Sequence, residues 1–218
     1  MQNYKCHIRL LAERLLLVFV FMTLTRVLFY LMNIEHFNLS ASELAWHLLC
    51  GLQFDLVSIS LANLLFVPMS VIPCRILNNQ IYQRILKTVF LITNLLIIAC
   101  NFIDCKFYEW EEKRLTADIF SPEWLGADFR TMLPQFVADY WYMFIAFIAC
   151  AIIFAWLYPN FKLQAANDEH TTSKHIVIQS VTAFFIICLL VLGCRGSLKV
   201  KPLRIIAAAQ YTTPERVP

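Results

Sequence analysis

Glycine is scarce in this chain of 218 residues, with four positions in all, and no glycine-rich loop of the kind that cradles phosphate is present. Charged side chains make up only 15% of the sequence while apolar ones reach 60%, and mean hydropathy is +0.63. A soluble domain of that composition lacks the polar surface to cover itself, which points to a polytopic membrane protein. The net charge of +3 is small and spread out, and no basic run is interleaved with stacking aromatics, so nucleic acid is excluded as a partner. There is no Ser/His/Asp order with a nucleophile elbow and no His-Glu-x-x-His motif; His7, His36, His47, His170 and His175 are scattered along the links and their edges. The eight cysteines form no Cys-x-x-Cys pair and are read as small buried apolar side chains, with a Cys100–Cys105 bridge as the one exception to consider. No internal repeat is visible, which removes support for an inverted-repeat transporter.

What is present is a series of long apolar runs. Residues 15–32 follow Lys5, Arg9 and Arg14 and carry one charge, Arg26; without a small-residue cleavage site they read as a retained anchor. Ser40 or Ser42 can cap a second helix over residues 44–67, with Glu43 in its first turn and Pro68 and Pro73 ending it. Residues 85–103 and 137–158 supply a third and fourth run, the latter with Tyr140, Trp141, Trp156 and Tyr158 at its ends. The fifth, residues 176–194, has no charged side chain and as a helix reaches about 28 Å, close to a bilayer's hydrocarbon thickness. The fold class expected is therefore all-α membrane, with five transmembrane helices.

Between the third and fourth runs lies a long link, residues 104–139, with eight acidic and four basic residues among seven Phe, Tyr and Trp side chains. Pro122, Gly126 and Pro134 break it, a pattern that suits short amphipathic helices at the membrane surface or a folded loop packed on the bundle. Basic residues set the orientation. With the N-terminus cytoplasmic, the inner links hold Lys5, Arg9, Arg14, Arg75, Arg84, Lys87, Lys162 and Lys174, against Lys106, Lys113, Arg114 and Arg130 in the outer links before the tail. The tail adds five more outside, which count for less because long extracytoplasmic segments translocate largely regardless of charge. Five spans then leave the C-terminus extracytoplasmic, in the cell (inner) membrane. After residue 194 the pattern changes: Leu198 and Val200 alternate with Lys199 and Lys201 as in a short strand, and residues 203–209 read as the start of a small apolar helix. Residues 195–218 are read as an extracytoplasmic connector leading into something further.

Arg26 and Asp55 are the two charges inside apolar runs. Each costs about 2.5–3.5 kcal/mol near a helix centre, so each is expected to face protein, water or a partner. They fall at comparable depth on neighbouring, oppositely directed helices. An ion pair fixing helix one against helix two, a hold on a lipid head group or substrate, and snorkelling of Arg26 are the three readings open. The first places them within hydrogen-bonding reach. Lys113, Arg114, Arg130 and Arg195 are the remaining charges proposed to contact anionic lipid head groups at the outer surface, where solvation alone would also account for them.

Three segments carry a family resemblance: Gly51-Leu52-Gln53-Phe54-Asp55-Leu56 in the second run, Phe107-Tyr108-Glu109-Trp110 with Lys113-Arg114-Leu115-Thr116 after the third, and Arg195-Gly196-Ser197-Leu198-Lys199-Val200-Lys201-Pro202 after the fifth. Together with the five-span pattern, which covers essentially the whole chain, they resemble the membrane half of the lipoteichoic acid synthase-like enzymes. These are phosphoglycerol or phosphoethanolamine transferases with a sulfatase-like domain of the alkaline phosphatase superfamily. The post-membrane Arg-Gly segment is the most specific of the three.

The resemblance implies a five-helix anchor followed outside the cytoplasm by a domain that uses a divalent metal and a threonine nucleophile to take a polar head group from a phospholipid. The sequence departs from the family where that domain is expected to begin, so no catalytic residue, metal ligand or cofactor is carried over onto this chain. It is expected to be a truncated or separated anchor, inactive alone, with membrane lipids and a separately encoded sulfatase-like domain as partners. The alternative is a non-enzymatic membrane scaffold or assembly partner acting through the outer amphipathic link.

Overall fold

A computed structural model describes residues 2–37, 40–72, 75–111, 134–135, 137–160 and 173–196. Among these the architecture is entirely helical, with α1 at Gln2–Met32, α2 at Ala41–Ala62, α3 at Phe66–Val71, α4 at Gln80–Glu111, α5 at Trp141–Leu157 and α6 at Ser173–Arg195. Single 3₁₀ turns at Ile34–His36 and Arg75–Asn78 lie between helices. Four helices are long and apolar enough to cross a membrane, containing Tyr4–Met32, Ser42–Ala62, Gln80–Glu109 and Ile176–Arg195. The expected span over residues 137–158, fourth in chain order, corresponds to α5, a shorter apolar helix of 17 residues.

Neither α1 nor α4 contains Gly or Pro, so nothing interrupts their i to i+4 ladders, and at 31 and 32 residues they run to about 47 Å each. Both overrun the apolar segments read from sequence. The first eight residues of the expected surface link, Asp104 to Glu111, simply continue α4; the rest of that link up to residue 133 lies outside the described residues.

The second helix begins as expected, with a full capping box: Ser40 Oγ accepts from the Glu43 amide, and the Ser40 amide donates to Glu43 Oε2 at 2.9 Å. Its end differs. Sequence placed one helix over residues 44–67, but the chain leaves the helix at Asn63–Leu65 and restarts as α3. Pro68 therefore does not end a helix; it sits in the first turn of α3, where its missing N–H is tolerated. The break is stabilised by Asn63, which donates to its own Ile59 carbonyl and exchanges amide hydrogen bonds of 2.9 and 3.0 Å with Asn94 of α4. Both asparagines are fully buried.

Helix α1 packs chiefly on α4, and α2 on α6, while α3 bridges α1, α4 and α6, and α5 rests on α4 and α1. The centre of the first group is aromatic: Phe90 stacks on Phe154 with ring centres 5.6 Å apart, and Phe66 and Phe21 close on that pair at 4.9 and 5.0 Å. Gly193 lies in the last turn of α6; a Cβ there would overlap Ser60, so the missing side chain is what lets α6 approach α2. The helix stops at Gly196, whose φ of 66° is the left-handed cap that turns its amide back to Leu192 and Gly193.

The cysteines correct the sequence reading. Among the seven described, all are free, including Cys100 and Cys105, so that bridge does not form, and only Cys105 is buried. Cys6 and Cys100 are exposed on the bundle's outer surface, as are large apolar side chains such as Ile152, Trp156 and Phe184. An apolar exterior of this kind is the expected complement of lipid.

Candidate functional site

Arg26 sits on α1 six residues before its end, and Asp55 on α2, and the packing of these helices brings the two together: Arg26 Nη2 lies 2.5 Å from Asp55 Oδ1. Their side chains retain 20% and 6% exposure. The pairing expected from sequence is thus what the structure shows, a charge-assisted contact between α1 and α2.

Gly51 makes the geometry possible. It lies four residues before Asp55 on α2, hence on the same face one turn away, and a Cβ at that position would fall on the Arg26 guanidinium. Sequence reasoning quoted Gly51 within a motif but gave it no role. Its signal, one of only four glycines in the chain, placed mid-helix against propensity, was available but not decisive.

A cavity of about 120 Å³ opens beside the pair between α1, α2 and α4. Its polar lining comes from Thr25, Arg26, Asp55, Ser58 and Asn101, and its apolar lining from Met22, Phe29, Phe54 and Ile97. Thr25 Oγ1 donates to the Met22 carbonyl at 2.9 Å and accepts from Asn101 Nδ2 at 3.0 Å, so α1 and α4 are tied at the cavity wall. Ser58 donates to the Phe54 carbonyl at 3.1 Å and keeps its lone pairs for a further donor.

Two residues beyond Gly51, Gln53 Nε2 donates to the Gly196 carbonyl at 2.7 Å. The second-run segment and the start of the Arg195-Gly196 segment, far apart in sequence, therefore touch. Arg195 is exposed at the last turn of α6. Lys113, Arg114 and Arg130 lie outside the described residues.

One charge was read as an ordinary link residue and is not. Arg14 is 3% exposed; its Nε and Nη2 both donate to the Pro159 carbonyl at 3.2 Å, and its guanidinium lies 4.6 Å from the Tyr158 ring centre. Lys87 approaches the same ring at 5.2 Å. These are cation–π contacts that fasten the end of α5 to α1 and α4. At the other end of α5, Lys106 pairs with Glu109 at 2.6 Å and lies over Tyr140 at 5.6 Å.

Among the described residues no group of three or more His, Cys, Asp or Glu is placed to hold a metal. Compared with known proteins, the chain matches no family model, no curated protein and no solved structure.

Proposed function

We propose that these helices form the membrane domain of a lipoteichoic acid synthase-like system, a lipid-facing anchor for sulfatase-type head-group transfer. In this reading α5 also crosses the membrane, fourth of five spans in chain order: its 17 residues reach about 26 Å, residues 137–139 before it are also helical, and aromatic side chains stand at both ends. The N-terminus is then cytoplasmic and the Arg195–Gly196 end extracytoplasmic in the cell membrane. Arg26 and Asp55 hold helices one and two in register, while Lys113, Arg114, Arg130 and Arg195 meet phospholipid head groups at the outer face. The transfer chemistry belongs to a metal-dependent sulfatase-like partner domain, and the chain itself supplies position.

The single observation that carries this reading is the hydrogen bond from Gln53 to Gly196. Two of the three segments on which the family resemblance rests are joined by it, at a place where nothing in local helix formation requires them to meet.

The test is co-expression of the full chain with a sulfatase-like phosphoglycerol or phosphoethanolamine transferase domain. Labelled phospholipid and a soluble phosphoester serve as parallel substrates. Co-purification with faster turnover of the membrane lipid alone supports the proposal. Association without turnover favours the scaffold reading, and no association with no change in turnover overturns both the partner and the role.

A further inference from the structure

We infer that the cavity beside Arg26 and Asp55 is a hydration site, a chamber of ordered water inside the helix bundle. Its volume of about 120 Å³ is well above the roughly 10–15 Å³ that a single water needs. Water occupies a cavity when two to four polar partners surround each molecule, and leaves apolar cavities dry. The wall here is of the first kind where it matters. Ser58 Oγ has lone pairs free beyond its bond to Phe54, and Asn101 donates through Nδ2 to Thr25 at 3.0 Å while its Oδ1 accepts from no described residue. The Arg26–Asp55 pair forms the remaining polar wall.

The pair's own energetics point the same way. An ion pair in hydrocarbon is stable only when its remaining donors and lone pairs are satisfied. A guanidinium presents five N–H groups and a carboxylate about four acceptor sites, and both side chains line the cavity. Water supplies flexible partners to both, at little cost when it bridges polar groups. The inference is independent of the proposed transferase role and holds for any activity of the bundle.

Hydroxyl radicals generated by X-ray pulses in the sample's water oxidise methionines that adjoin water, so Met22 reports on the chamber it lines. Met22 and Met143 are both buried, at 4% and 8% exposure, and Met143 does not line the cavity. With the full chain in lipid nanodiscs, Met22 is expected to form sulfoxide about tenfold faster than Met143 and at a rate close to that of the half-buried Met32. Met22 oxidised as slowly as Met143, with Met32 normal, would mean a dry cavity and overturn the inference.

Filling the space with Ser58→Phe is expected to bring Met22 down to the Met143 rate. Fast oxidation persisting in that variant would show that radicals arrive by another route, and would also overturn it. The comparison of Met22 with Met143 in the unaltered chain decides the matter even where Ser58→Phe fails to assemble.

Discussion

Replacing Asp55 with leucine removes the partner of a guanidinium that α2 was shaped to receive. Breaking a buried pair by deleting one member costs about 3–5 kcal/mol, because the charge left behind stays desolvated. Arg26 keeps 20% of its side-chain exposure, which moderates that penalty, so the lower end of about 3 kcal/mol is expected for Asp55→Leu. Arg26→Leu leaves a carboxylate at 6% exposure and should cost as much or more. The double variant is different: it exchanges the pair for apolar side chains of similar bulk, and such exchanges are often neutral or stabilising. It should therefore lie within about 1 kcal/mol of the parent chain, a strongly non-additive cycle. The measurement is SDS-titrated unfolding from mixed micelles, followed by far-UV circular dichroism and by fluorescence from tryptophans including Trp46 on α2. A double variant destabilised by the sum of the two single effects, about 6 kcal/mol, would refute the reasoning, since it would mean the two charges are held by separate surroundings.

Four further outcomes are expected. Gly51→Ala gains about 1 kcal/mol of helix propensity but displaces Arg26, so a net loss of about 2 kcal/mol is predicted in the same titration; a more stable variant would show that the guanidinium re-seats without losing Asp55. Asn94→Leu leaves Asn63 without its interhelical partner and should cost about 1–2 kcal/mol, much of it recovered in Asn63→Leu/Asn94→Leu, with equal loss in both variants arguing against the pair. Phosphatase or fluorescent reporters joined after Asn160 and after Gly196 should report the cytoplasm and the exterior respectively, and a cytoplasmic signal from the second would refute the five-span arrangement with its N-terminus inside. With a transferase partner present, Arg114→Ala/Arg195→Ala should reduce turnover of membrane lipid while sparing a soluble phosphoester; an equal fall in both would remove the head-group contact.

Helix existence was legible from hydropathy because long apolar runs without Gly or Pro have one economical conformation in a membrane. The Ser40–Glu43 cap was legible for a similar reason, being set by four adjacent residues. The Arg26–Asp55 pair could be read because isolated charges in apolar runs must find each other or water, and antiparallel neighbours place them at matching depth. The features that escaped depend on a second helix being in a particular place. Asn63 becomes a breakpoint because Asn94 stands opposite it, Gly51 matters because of where the Arg26 side chain ends, and Arg14 becomes buried because Tyr158 and Pro159 cover it. Cys6 and Cys100 were misjudged because apolar surface in lipid need not turn inward, so the rule that free cysteine is buried loses its force on such an exterior. The run over residues 137–158 was legible as apolar, yet α5 covers only Trp141–Leu157 of it, with Tyr140 and Tyr158 as its caps.

The amide between Gln53 and Gly196 acts as a latch between two rods. Sliding α6 along α2 by a helical turn, or rotating it about its own axis, first requires that latch to open. The catch sits two residues from the Asp55 carboxylate. One short stretch of α2 therefore carries both ties, the polar one to α6 and the charged one to α1.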